Sequence, residues 1–145
     1  LHVPAGGPSP GASLNEAVGE GPAERIDVTT QTLDGVLADR DLRPVRFIKC
    51  DVEGHELDVF RGGEATLRED RPDLLFECEA RHRGDDNVRG VFAYLQGLGY
   101  EGRFPLNGQW RPLSEFDVAA HQSPDALPYV NNFHFTATSE EVNRT

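Results

Sequence analysis

The feature that most constrains this chain is an alternation of short apolar runs with amphipathic stretches. Val45 to Val52 is rich in β-branched and aromatic residues and reads as a strand. Pro72 to Glu79 reads as a second, with Leu74, Leu75 and Phe76 continuous, a pattern suited to strands covered on both faces as in parallel sheets. Between them a helix is expected from Gly54, keeping Leu57, Phe60 and Leu67 on one face and broken in two at Gly62-Gly63. After the second run Val88, Val91, Phe92, Leu95 and Leu98 recur at helical spacing. Asp85, Asp86 and Asn87 supply the cap and first-turn charge, and Gly99 ends the helix.

The flanks extend the alternation. Ile26-Asp27-Val28-Thr29 alternates like a short strand, and Thr32 is placed to cap a short helix with Leu33, Val36 and Leu37 on one face. Tyr100 to Phe104 and Asn132 to Thr138 read as later strands. Residues 105–130 are mixed, with Trp110 and Phe116 as packing residues. This order predicts an α/β layered sheet. Residues 1–22, punctuated by Pro and Gly, read as a loop or frayed start, 23–140 as the domain and 141–145 as a tail. The glycines of the start do not follow a strand as GxGxxG, and no GK[ST] follows them, so they are not read as a phosphate loop. The chain starts at Leu1 and contains no Met, as expected of a processed chain or one cut from something longer.

Composition narrows the partners. A net charge of −11 repels phosphate backbones, and the 14 basic residues form no stripe, so nucleic acid is excluded as a partner. No apolar run approaches the ~20 residues of a membrane span, and no signal peptide is visible. The expected location is the cytoplasm, with Cys50 and Cys78 as reduced core residues.

The chemistry gathers in Phe47-Ile48-Lys49-Cys50-Asp51-Val52-Glu53-Gly54-His55-Glu56, where an apolar strand ends and a helix begins. Ligands of open parallel sheets bind at the carboxyl ends of strands, which puts Asp51 and Glu53 at that address. This stretch resembles the signature of FkbM-type methyltransferases, roughly I-K-hydrophobic-D-hydrophobic-E-G-x-E, matched by Ile48, Lys49, Asp51, Glu53, Gly54 and Glu56. Thr32-Leu33-Asp34, Arg71-Pro72 with the run ending in Glu77, Leu98-Gly99-Tyr100 and Asn132-Phe133 resemble the family's flanking segments, so the likeness covers about residues 26–138.

The resemblance implies a class I methyltransferase (Rossmann-like) sheet, mostly parallel with an antiparallel last strand. It also implies methyl transfer from S-adenosylmethionine to a hydroxyl of a small molecule or sugar. The family's glycine-rich turn and its ribose-holding acidic residue lie upstream of the signature and are not in this sequence. About five of the fold's seven strands are counted, so the N-terminal cofactor half is expected to be missing. Asp51 is the candidate for orienting or deprotonating the acceptor, against a capping role. His55, at the signature's variable position, is a second candidate base. Asp51 and Glu53 are candidate cofactor contacts. Glu77 and Glu79, ending the neighbouring strand, are candidate substrate contacts, and Asp51 with Glu77 are candidate Mg²⁺ ligands, as in some related methyltransferases. The simpler reading pairs Glu79 with Arg81 or Arg83. Glu56 is read as bonding free N–H groups of the first helical turn and Lys49 as pairing with a carboxylate, while His82, His121 and His134 have no visible partner.

Two other functions compete. A degenerate half-sheet would expose an edge and an apolar face and serve in binding or as a homodimer. A metal-dependent hydrolase would use the carboxylates, but no HExxH is present.

Overall fold

Alternation of burial along the strands shows how the sheet is covered. In a computed structural model describing residues 2–4 and 23–138, the chain divides into two units, residues 1–31 and 32–145. In the first, β1 (His2–Pro4) pairs antiparallel with β2 (Ala23–Arg25). Ile26 to Thr29 forms no strand, contrary to the expectation from its alternation. Most of the expected start at 1–22 and all of the tail at 141–145 lie outside the described residues.

The second unit runs α1 (Leu33–Arg40), β3 (Phe47–Cys50), α2 (Glu56–Gly62), α3 (Glu64–Glu69), β4 (Asp73–Glu77), α4 (Ala80–Arg83), α5 (Asp85–Gly97), β5 (Tyr100–Leu106), β6 (Gln109–Pro112), a 3-10 turn (Leu113–Glu115), α6 (Val118–His121) and β7 (Asn132–Ala137). The strands form one sheet in the order β3-β4-β7-β5-β6. Of its neighbouring pairs only β3–β4 is parallel, while β4–β7, β7–β5 and β5–β6 are antiparallel. The sheet is therefore mixed, not mostly parallel. The last strand is antiparallel as expected, but it inserts between β4 and β5, and the β5–β6 hairpin adds a further antiparallel pair.

Leu74 and Phe76 of β4, Phe133 and Phe135 of β7 and Phe104 of β5 are fully buried on one face. Phe60 of α2, Leu67 of α3 and Val88, Val91, Phe92 and Leu95 of α5 cover them. Phe76 is the hub, with ring centroids of Phe60, Phe135 and Phe133 at 5.2, 5.3 and 5.9 Å, spacings at which edge-on aromatic contacts are favourable. The opposite face carries Phe47, Lys49, Leu75, His134, Arg103 and Trp110, and no helix within residues 32–138 lies over it. The continuous run Leu74-Leu75-Phe76 thus has one covered face, not two. Trp110 is a surface residue, 51% exposed, with the Arg103 guanidinium 4.9 Å from its ring centre.

Helix ends are held by distant side chains. Gly63, at the start of α3, has no side chain to cap with, and Asp34 of α1 takes over: it accepts from the N–H groups of Ala65 and Thr66 at 2.9 Å and from the Thr66 hydroxyl at 2.6 Å. Thr32 caps α1 by accepting from the Gly35 N–H. Gly84, without a side chain, stands at the start of α5, so Asp85 and Asp86 contribute first-turn charge and not the cap. Arg71 donates to the carbonyls of Leu98 and Gly99, where α5 ends, and to that of Thr138.

Burial alone would raise the pKa of Asp34, but the hydrogen bonds from Thr66 and Ala65 outweigh it and hold the carboxyl below its ordinary value of 3.8. A depressed folded-state value stabilises above the unfolded one, and that contribution is lost as pH falls through the folded value. Asp34→Ala should cost about 1 kcal/mol near neutrality, a typical value for a lost cap. The gap between variant and parent in urea unfolding should close below pH 3.8.

Candidate active site at the strand ends

The parallel register Cys50↔Phe76 sends the chain out of β3 and β4 at the same edge, so Asp51 follows one strand where Glu77 ends the other. Past Asp51 the backbone turns sharply: Glu53 (φ 53°) and Gly54 (φ 93°) are both left-handed. At Gly54 the demand is double. A Cβ there would lie 2.8 Å from the Cβ of His82, so the turn and α4 are in backbone-close contact. The turn delivers Glu56 to the start of α2, where its Oε1 accepts from the Gly54 N–H at 3.0 Å. Glu56 is 1% exposed, and its Oε2 is buried with no partner among the described residues.

Packing of α4 on this turn brings His82 into the site. Its Nε2 lies 2.8 Å from Glu53 Oε2 and 3.6 Å from Glu79 Oε1. Glu79 is buried with both oxygens bonded: Oε1 accepts from Arg81 at 2.8 Å and Oε2 from the Tyr129 hydroxyl at 2.7 Å. The buried Gln122 holds this corner together, donating to the carbonyls of Cys78 and Val130 and accepting from the Ala80 N–H. Burial, then hydrogen bonding to Glu79, pushes the Tyr129 phenol up to about 12. Cys50 and Cys78 are free thiols beside the cluster. Burial, then the nearby Glu56 carboxylate, raises both, Cys50 to about 12, which leaves them unreactive.

Asp51, Glu53, Glu56, Glu77, Glu79 and His82 together line one cleft, drawn so tight that no space for a water molecule remains. Four residues singled out from the sequence, Asp51, Glu53, Glu77 and Glu79, meet there. His55 does not line it. Its Nδ1 lies 3.0 Å from Asp58 Oδ2, which lowers the pKa of Asp58, and its Nε2 is buried without a partner among the described residues. Asp51 is the accessible carboxylate, about half exposed, with Lys49 Nζ 3.5 Å away. Sequence reasoning missed His82 and Tyr129. His82 stands three residues after Glu79, a spacing that carries a signal only once a helix is expected at 80–83. Tyr129 lies fifty residues from its partner, in the stretch that the sequence left unread.

Fit to a metal is poor. Both oxygens of Glu79 and one of Glu53 are engaged, and among the described residues no three His, Cys, Asp or Glu side chains are arranged to hold an ion. Fit to a sulfonium donor is one-sided. The carboxylates of Asp51, Glu53 and Glu77 make a negative rim suited to a cation, but no glycine-rich strand-to-helix turn for a nucleoside occurs among the described residues.

An α/β chain with an acidic cluster at the carboxyl ends of two parallel strands is thereby defined. A family model for the methyltransferase FkbM domain matches residues 4–101, more than half of the chain. The chain belongs to that methyltransferase family. The match contains the whole signature turn and both strand ends, starts earlier than the resemblance at 26–138, and stops short of Tyr129 and β7. No curated protein and no solved structure matches the chain. No helix among the described residues is long and apolar enough to cross a membrane.

Tyr129→Phe removes one of the two hydrogen bonds that satisfy buried Glu79. A bond to a charged group of this kind contributes roughly 1.5–3 kcal/mol. Denaturant unfolding should report a loss in that range, whereas a change below about 0.5 kcal/mol, as for an ordinary surface substitution, would show that solvent replaces the phenol.

Proposed function

We propose that this chain is part of an S-adenosylmethionine-dependent O-methyltransferase that methylates a hydroxyl of a small molecule or sugar. The observation that carries the reading is the meeting of Asp51, Glu53 and Glu77 at the carboxyl ends of β3 and β4 in a chain of the FkbM methyltransferase family. S-adenosylmethionine, when bound, supplies a methyl group on a reactive sulfonium, so the protein's task is mainly positioning. Asp51, accessible at the strand end, accepts the proton of the acceptor hydroxyl or orients it. Glu77, which ends the neighbouring strand, holds a second hydroxyl of the acceptor in this reading. Glu53 contributes to the negative rim facing the sulfonium, with His82 fixing its carboxylate. Both ring nitrogens of His55 are buried or bonded, which favours Asp51 over His55 as the base.

The sheet geometry supports a Rossmann-like domain completed by further elements. β3 has one strand neighbour among the described residues, and the face bearing Phe47 and Trp110 lacks a helix layer from residues 32–138. A cofactor-binding half pairing on β3 and covering that face accounts for both features. The same features favour a second reading, a non-catalytic domain that binds through this edge, with a homodimer as its simplest form.

The test is transfer of labelled methyl from S-adenosylmethionine to a panel of sugars and hydroxylated small molecules. Asp51→Asn should lower kcat by about 10²–10⁴-fold, the range for a lost general base, with little change in S-adenosylhomocysteine affinity. Methylation at the parental rate by the variant would remove Asp51 from the mechanism. For the second reading, sedimentation of the parent should give a dimer that Phe47→Asp, on the half-exposed edge residue, converts to monomer. A monomeric parent would leave the homodimer unsupported.

A further inference from the structure

Away from the strand ends, a cavity of about 320 Å³ opens between α5, the 3-10 turn and α6. That is within the ~300–1,000 Å³ of small-molecule sites. It shares no lining residue with the acidic cleft. Its floor is aromatic: Phe92 and Phe116 meet edge to face with ring centres 5.7 Å apart. Ala93 keeps one wall low, and Arg89, Gln96 and Ser114 stand on the rim. The rim's carboxylate, Asp117, is committed elsewhere, its Oδ1 accepting from the Ala120 N–H at 2.8 Å to cap α6. Arg89 has no carboxylate partner among the described residues, in a chain whose net charge is −11. An unpaired guanidinium beside this aromatic corner joins a bidentate anion receptor to an apolar surface.

We infer that this cavity is a second binding site, for a small aromatic carboxylate whose ring packs into the corner between Phe92 and Phe116 and whose carboxylate pairs with Arg89. The hydroxyl of Ser114 and the amide of Gln96 bond the polar substituents of such a ligand. The site is independent of the methyl-transfer reading.

The probe is 2-naphthoate, compared with the neutral 2-naphthalenemethanol, titrated calorimetrically and by amide shifts into the whole chain. One equivalent of 2-naphthoate should bind, about tenfold tighter than the alcohol, as one charge-assisted bond provides. Shifts should gather in Arg89–Gln96 and Leu113–Val118. Arg89→Gln should remove the preference for the acid, and Ala93→Phe, filling the cavity from an exposed position of α5, should abolish binding of both probes with the unfolding midpoint retained. Failure of the acid to bind, equal affinity for acid and alcohol, shifts lying elsewhere, or binding that survives both substitutions would each overturn the inference.

Discussion

Parallel pairing of β3 with β4 is the constraint on which the rest of this molecule depends. Four residue pairs, from Phe47↔Asp73 to Cys50↔Phe76, fix where both chains leave the sheet, and they leave at one edge. A slip of one residue would turn Leu74 and Phe76 away from the core, so the hydrophobic face enforces the register that places Asp51 beside Glu77. Core packing and site geometry are thus one problem, solved by the ring of phenylalanines around Phe76.

The site is assembled against electrostatic cost. Glu56 and Glu79 are almost fully buried, and burying a carboxylate is unfavourable unless its oxygens are bonded. Glu79 meets the condition through Arg81 and Tyr129, and among the described residues Glu56 meets it on one oxygen only. The left-handed turn at Glu53-Gly54 is what permits this arrangement, since only a residue without Cβ lets α4 approach closely enough for His82 to reach Glu53. The cleft thus combines a buried Glu56 oxygen that has no partner among the described residues with a half-exposed Asp51, an arrangement that costs stability.

Much of this was legible in the sequence. The helical spacing of Val88 to Leu95, the break at Gly62-Gly63 and the strand at Phe76 follow from local periodicity, which a chain displays residue by residue. The strand-end carboxylates were legible because the turn chemistry of Glu53-Gly54 lies next to them. The antiparallel majority of the sheet was not legible, since it depends on where β7 inserts and on the β6 hairpin, both matters of long-range pairing. Ile26 to Thr29 shows the limit of alternation, which marks a segment able to pair but not whether a neighbour exists. His82 and Tyr129 were out of reach for a related reason: each acquires meaning only from a partner that folding brings to it. The resemblance supplied the family, but not the fate of His55, whose Nε2 is buried and whose Nδ1 bonds Asp58.

The most direct test of the account is to follow backbone amide resonances as S-adenosylhomocysteine is added to the protein. If the strand ends form the methyl-transfer site, shifts concentrate in residues 51–56 and 77–82, and the side-chain resonances of His82 move with them. Binding that leaves those residues unperturbed, or no response anywhere in the spectrum, would contradict the assignment of the acidic cluster to methyl transfer.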